Sequence, residues 1–98
     1  MAGRVVAVTG AGSGIGRTVA RAFLAHGDVV HASDVSPSRL AETATEIGPL
    51  GALRTHVADV SDYAAVRHVI AAADAEADGL AVFVSCAGVF DGYAGVDE

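Results

Sequence analysis

The residues with the clearest chemical potential are four glycines in the stretch TGAGSGIG, Thr9 to Gly16. Gly10, Gly12, Gly14 and Gly16, with Ser13 and Ile15 among them, follow the apolar run Val5-Val6-Ala7-Val8 and precede an apolar helical pattern. A helix that starts directly after a tight glycine turn aims unpaired backbone N–H groups and its positive dipole end at the carboxyl edge of the strand. A pyrophosphate meets that demand, and glycines let the chain turn sharply and approach phosphates without Cβ atoms in the way. Turning alone is the competing explanation for a Gly-rich loop, and a second residue favours the ligand. Asp34, eighteen residues beyond Gly16, closes the next apolar run, close to the spacing of ~20 expected for a carboxylate that accepts ribose hydroxyls. A solvated strand-end aspartate or a helix cap is its plainer role, but Ser36 is the better cap.

Other phosphate loops do not fit. A P-loop requires Gly-Lys-Ser or Gly-Lys-Thr, and the chain contains no lysine. The strict G-x-G-x-x-G pattern places Ile15 where its third glycine belongs, so the spacing present is T-G-x-x-x-G-x-G.

The elements that must position these residues alternate. A first strand is expected over about Arg4 to Thr9, then a helix whose stripe Ile15, Val19, Phe23 and Leu24 packs on a sheet, with Gly27 as its left-handed cap. A second strand follows over about Val29 to Ser33, ended by Asp34. Ser36 as N-cap and Pro37 at the first helical position open a second helix, stopped by Gly48 and Pro49. A weaker strand, Leu53 to Val57, precedes a third helix capped by Ser61, with Val66, Val69, Ile70 and Ala73 at helical spacing; LAVFVS, Leu80 to Ser85, is a fourth strand. Such alternation implies an α/β, doubly wound parallel sheet with helices on both faces, Rossmann-like and represented by its N-terminal four-strand portion. The fourth strand is expected beside the first, opposite the second, placing the ligand at the topological switch point.

The motifs Thr9-Gly10-Ala11-Gly12-Ser13-Gly14-Ile15-Gly16, Asp34, Asp59-Val60 and Ser85-Cys86-Ala87-Gly88 together resemble the N-terminal part of the short-chain dehydrogenase/reductase family across the whole chain. The resemblance implies that Gly10, Gly12, Ser13, Gly14, Ile15 and Gly16 wrap the pyrophosphate and that Asp34 takes the adenosine ribose. A free carboxylate there repels a 2′-phosphate, so the implied cofactor is NAD rather than NADP. Ser13 and Val35 stand where NADP-using relatives carry basic residues, and Arg17, the nearest cation, is expected at the surface. Asp59 would accept from the adenine amino group with Val60 along the ring, unless it merely leads the third helix. Cys86, Ala87 and Gly88 would pass beneath the cofactor. Here Ser85 and Cys86 replace the two asparagines of the family's Asn-Asn-Ala-Gly motif, so fewer hydrogen bonds tie the sheet there, and Cys86 is expected as a small buried residue.

The family's chemistry is hydride transfer between a nicotinamide and a carbonyl or alcohol, with a tyrosine whose pKa is lowered by a lysine four residues later. This chain has no lysine. Tyr63 precedes Arg67 and Tyr93 precedes Asp97 at that spacing, but neither occupies the right place, and no catalytic residue is assigned. The four histidines show no metal-ligand spacing and are read as structural or exposed.

Length and composition complete the reading. With 98 residues, 52% hydrophobic and 18% charged, the chain is an ordinary globular sequence of one domain. A net charge of −6 with scattered arginines opposes nucleic-acid binding. No apolar run reaches the roughly 18 residues of a membrane span, and no signal peptide is evident, so the reading is cytoplasmic with no membrane partner. Cys86, the single cysteine, excludes an internal disulfide. Because LAVFVS reads as an interior strand yet would be a sheet edge, residues 1–98 are expected to be the N-terminal part of one NAD-binding domain. The catalytic half would be absent, and the complete enzyme a homo-oligomer. Two alternatives remain at this level. One is a non-catalytic nucleotide-binding or regulatory module that pairs with another chain; the other, more distant, is a methyltransferase domain binding S-adenosylmethionine.

Overall fold

The computed structural model describes residues 3–76 and 79–86. Four parallel strands, β1 (Val5–Thr9), β2 (Val29–Asp34), β3 (Leu53–Val57) and β4 (Leu80–Ser85), form one sheet in the order β3-β2-β1-β4. They alternate with three helices, α1 (Gly14–His26), α2 (Pro37–Ile47) and α3 (Tyr63–Asp74), and a single 3-10 turn follows α2 at Gly48–Leu50. The first strand omits Arg4 and the second includes Asp34; otherwise the expected strands and the expected strand order are those observed.

The two central strands are buried almost throughout, because helices cover both faces of the sheet there. Register pairs Val5 to Thr9 with Val29 to Ser33, so the Val-rich segments lie side by side in the middle. Side chains alternate across them. Val6, Val8, Val30 and Ala32 pack with Ala20 and Leu24 of α1 and with Leu40 and Ile47 of α2. The opposite face meets α3, whose Val69 and Ala73 are buried. The edge strands β3 and β4 are only partly covered, and Phe83 and Val57 remain exposed.

The helix signals in the sequence act largely as expected, with two corrections. Ser36 caps α2 by accepting from the Arg39 N–H, and Gly27 caps α1 at φ 102°, a left-handed conformation suited to glycine. Of the expected stripe of α1, Leu24 is buried and Val19 and Phe23 pack against the core, but Ile15 does not join it, and Gly16 and Ala20 complete the buried face. Ile15 is exposed and Val19 and Phe23 half-buried, while at Gly16 and Ala20 close approach of the helix leaves room only for small residues. The N-cap of α3 is Asp62 rather than Ser61: its carboxylate accepts from the Ala64 and Ala65 N–H groups, while Ser61 bonds back to Asp59. Among the described residues, no helix is long and apolar enough to cross a membrane.

Candidate functional site

All four strands point their carboxyl ends to one edge, and the residues singled out from the sequence gather there. The glycine loop leaves β1, Asp34 ends β2, Asp59 and Val60 follow β3, and Cys86 follows β4. Gly10 makes the turn at φ 70°, and its carbonyl accepts from both the Ser13 N–H (3.1 Å) and the Ser13 hydroxyl (2.7 Å). Ser13 is the N-cap of α1, its hydroxyl accepting from the Gly16 N–H at 3.1 Å. The glycines differ in what a side chain would meet. At Gly16 a Cβ would overlap the Gly10 carbonyl, so this position lets α1 fold tightly onto the loop. At Gly12 it would press on the Asp34 carboxylate at 2.8 Å and on the Arg39 Cβ at 2.8 Å. At Gly14 it would meet no protein atom within 4 Å, so that position opens onto space rather than packing.

Asp34 is buried and joined directly to the loop. Its Oδ2 accepts from the Gly12 N–H at 2.8 Å and its Oδ1 from the Ser36 N–H at 2.9 Å. An ionised carboxylate has about four acceptor positions, of which these two bonds use two. A cleft of 680 Å³ opens at the same place, lined by Gly12, Ser13, Gly14, Ile15, Thr18, Val19 and Arg39.

Thr43, which carried no signal in the sequence, and Arg17 support this arrangement. Thr43, fully buried in α2, donates its hydroxyl to the Ala11 carbonyl at 2.9 Å and accepts from Arg17 Nε at 2.9 Å. Arg17 is therefore not the surface cation expected: its side chain is three-quarters covered, and its guanidinium reaches the Gly12 carbonyl and pairs with Glu46 at 3.0 Å. It ties the loop to the carboxylates of α2, a pairing across two helices that linear spacing does not reveal. The cation lining the cleft is instead Arg39, five residues after Asp34 in the first turn of α2.

Beyond β3, Asp59 is exposed, and its Oδ1 accepts from both the N–H (2.9 Å) and the hydroxyl (2.8 Å) of Ser61. These bonds hold its carboxyl below the usual range, so it is ionised at neutral pH. Val60 is exposed beside it. Cys86 is buried in the core as expected, its thiol pushed up by burial, and its N–H donates to the Thr9 carbonyl at 3.1 Å. Ser85, standing where the family carries asparagine, accepts from the Thr9 hydroxyl at 3.2 Å and so still links β4 to β1. Ala87 and Gly88 lie outside the described residues, as does Tyr93. Tyr63 is exposed on α3 with the Arg67 guanidinium 5.3 Å from its ring centre.

A parallel doubly wound sheet, a glycine turn between β1 and α1, and an acid at the end of β2 together define a Rossmann-like α/β fold. The chain belongs to the short chain dehydrogenase family, whose model matches residues 4–97. It is 38% identical to a galactitol 2-dehydrogenase of Agrobacterium fabrum over 90% of this chain and 34% of that protein. It is 41% identical to an L-tagatose-forming galactitol 2-dehydrogenase of Cereibacter sphaeroides, over 89% and 34%. Among solved structures, a short-chain dehydrogenase/reductase of Burkholderia phymatum in complex with NAD aligns at a TM-score of 0.76 and 31% identity, over 84% of this chain and 30% of that one. The Pseudomonas aeruginosa RhlG/NADP complex aligns at 0.76 and 30%, over 96% and 39%. The chain thus spans about a third of the length of the relatives it matches.

Proposed function

We propose that this chain supplies the cofactor-binding part of an NAD-dependent oxidoreductase that interconverts a carbonyl and an alcohol. The observation that carries the reading is the buried Asp34 carboxylate fixed against the N–H of Gly12, a residue that lines the glycine-loop cleft. The residues fit the group: Gly14 leaves a space that a Cβ would enter, and the N-terminus of α1 faces it with the dipole that favours phosphate. In this reading Gly10, Gly12, Ser13, Gly14, Ile15 and Gly16 bind the pyrophosphate. Asp34 accepts from the adenosine ribose, Asp59 and Val60 border the adenine, and Cys86, Ala87 and Gly88 contribute to the cofactor site. NAD bound there would supply the hydride acceptor or donor; the chain's own residues bind and orient it. Residues 1–98 then correspond to the N-terminal part of one domain. The acid/base tyrosine and its lysine belong to the portion of the family's length that this chain does not span.

Asp34 favours NAD over NADP for an electrostatic reason: a buried carboxylate beside a 2′-phosphate places two anions in contact, whereas a 2′-hydroxyl donates to it. Arg39 at the cleft limits how strict that preference is, since it is the one basic residue lining the space among the described residues. The loop assignment is tested by Gly14→Val. The substitution meets no protein atom at Cβ, so the sheet should keep its thermal stability while NAD binding, followed by calorimetry, is lost. Unaltered binding would remove the loop from the phosphate site.

A further inference from the structure

On the α3 face of the sheet, away from the glycine loop, three histidines and a glutamate converge from separate elements. His31 of β2 is buried, and both of its ring nitrogens are engaged: Nδ1 lies 2.9 Å from His56 Nε2 of β3, and Nε2 lies 2.8 Å from the Glu76 carboxylate just after α3. The His31 and His56 rings stack with centroids 5.2 Å apart, and His68 of α3 meets His56 edge-on at 6.4 Å. Arg54 of β3 completes the group, with Nε 3.3 Å from the same Glu76 oxygen. These are the titratable groups that face the pair among the described residues.

The geometry fixes the protons. With Glu76 ionised, His31 donates from Nε2, so its Nδ1 accepts and His56 donates from Nε2. One extra proton can be held if His56 changes tautomer and accepts. Two cannot, because both nitrogens of the 2.9 Å contact would then be donors and both rings cationic. We propose that the His31–His56–Glu76 chain is an acid-sensitive latch that fastens edge strand β3 and the end of α3 to the sheet, and that its double protonation releases the segment Leu53–Asp62. The last bond of this seam runs from the Ala58 N–H to the Asp34 carbonyl at 3.0 Å, immediately before Asp59 and Val60. Opening it would displace the adenine side of the site, a consequence that rests on the nucleotide reading above.

The direction of the pH effect follows from the surroundings. Burial, then the His31 and His68 charges, pushes His56 below the ordinary imidazole value of 6.5. The unfolded chain therefore takes that proton first, and the latch's contribution is complete above pH 6.5 and lost as pH falls below it. The bond from His31, with Arg54 assisting, holds Glu76 below its ordinary value against its own desolvation, so its contribution persists until still lower pH.

Amide hydrogen exchange without ligand, at pH 7.5 and pH 5.0, tests the latch separately from cofactor binding. Protection of residues 53–58 is expressed relative to β1 in the same sample, which cancels the intrinsic pH dependence. In the wild type that ratio should fall about tenfold on acidification, as expected for a latch contributing about 1.4 kcal/mol. In His56→Gln, which keeps an N–H donor that does not titrate, it should stay flat. An equal fall in both proteins, or none in the wild type, overturns the proposal. Should His56→Gln not fold, imidazole NMR titration of the wild type decides: two separated coupled steps for His31 and His56 support the latch, and coincident independent midpoints overturn it.

Discussion

The two faces of the sheet solve different problems. Where α1 and α2 pack, valines and alanines of the sheet meet Leu24, Leu40 and Ile47, and the same closeness that buries Gly16, Ala20 and Leu24 brings the loop, Asp34 and Thr43 within hydrogen-bonding distance. Where α3 packs, coverage is partial. Phe83 stays exposed on β4, and part of the gap toward β3 is filled by the polar chain from His31 to Glu76. A tightly packed face positions backbone donors within tenths of an ångström. A loosely covered one tolerates polar and titratable side chains, and responds to conditions.

That contrast is broken most forcefully at Gly16. Gly16→Ala should destabilise the protein by about 3 kcal/mol, near the top of the range for overpacking, because the obstacle is a backbone carbonyl that no rotamer change can move. Chemical denaturation of the variant measures it. Thr43→Val preserves shape but leaves the buried Ala11 carbonyl without its donor, and should cost about 2 kcal/mol together with weaker NAD binding as the loop loses its support. If Thr43→Val lowered stability and left NAD affinity unaltered, the buried face would not be positioning the loop. On the other face, Asp62→Ala removes the α3 cap, for about 1 kcal/mol by denaturation, and should leave NAD affinity within error. A cost equal to that of Gly16→Ala would abolish the distinction between the faces.

Much of this was legible in the sequence because the relevant signals are local. The glycine turn, the Ser36-Pro37 helix start and the Val-rich central strands each specify their conformation within a few residues, and the alternation of elements fixes the strand order. What escaped depends on three-dimensional pairing. Hydrophobic periodicity assigned Ile15 to the core, but close packing chose Gly16 and Ala20. Thr43 and Glu46, which hold Arg17, lie 26 and 29 positions along the chain from it. The histidines, separated by 25 residues between His31 and His56, meet only because β2 and β3 are neighbours on the same face. Asp62 outcompetes Ser61 at the third helix because Ser61 is already committed to Asp59.

The central claim is that Asp34 reads the adenosine ribose. Titrating NAD and NADP into the wild type and into Asp34→Ala by calorimetry tests it directly. The wild type should prefer NAD, and the variant should lose about tenfold or more in NAD affinity, the worth of a hydrogen bond to a charged group, while its discrimination against NADP relaxes. An unchanged ratio of the two affinities would contradict the assignment and leave Asp34 only the task of holding Gly12 and Ser36 in place.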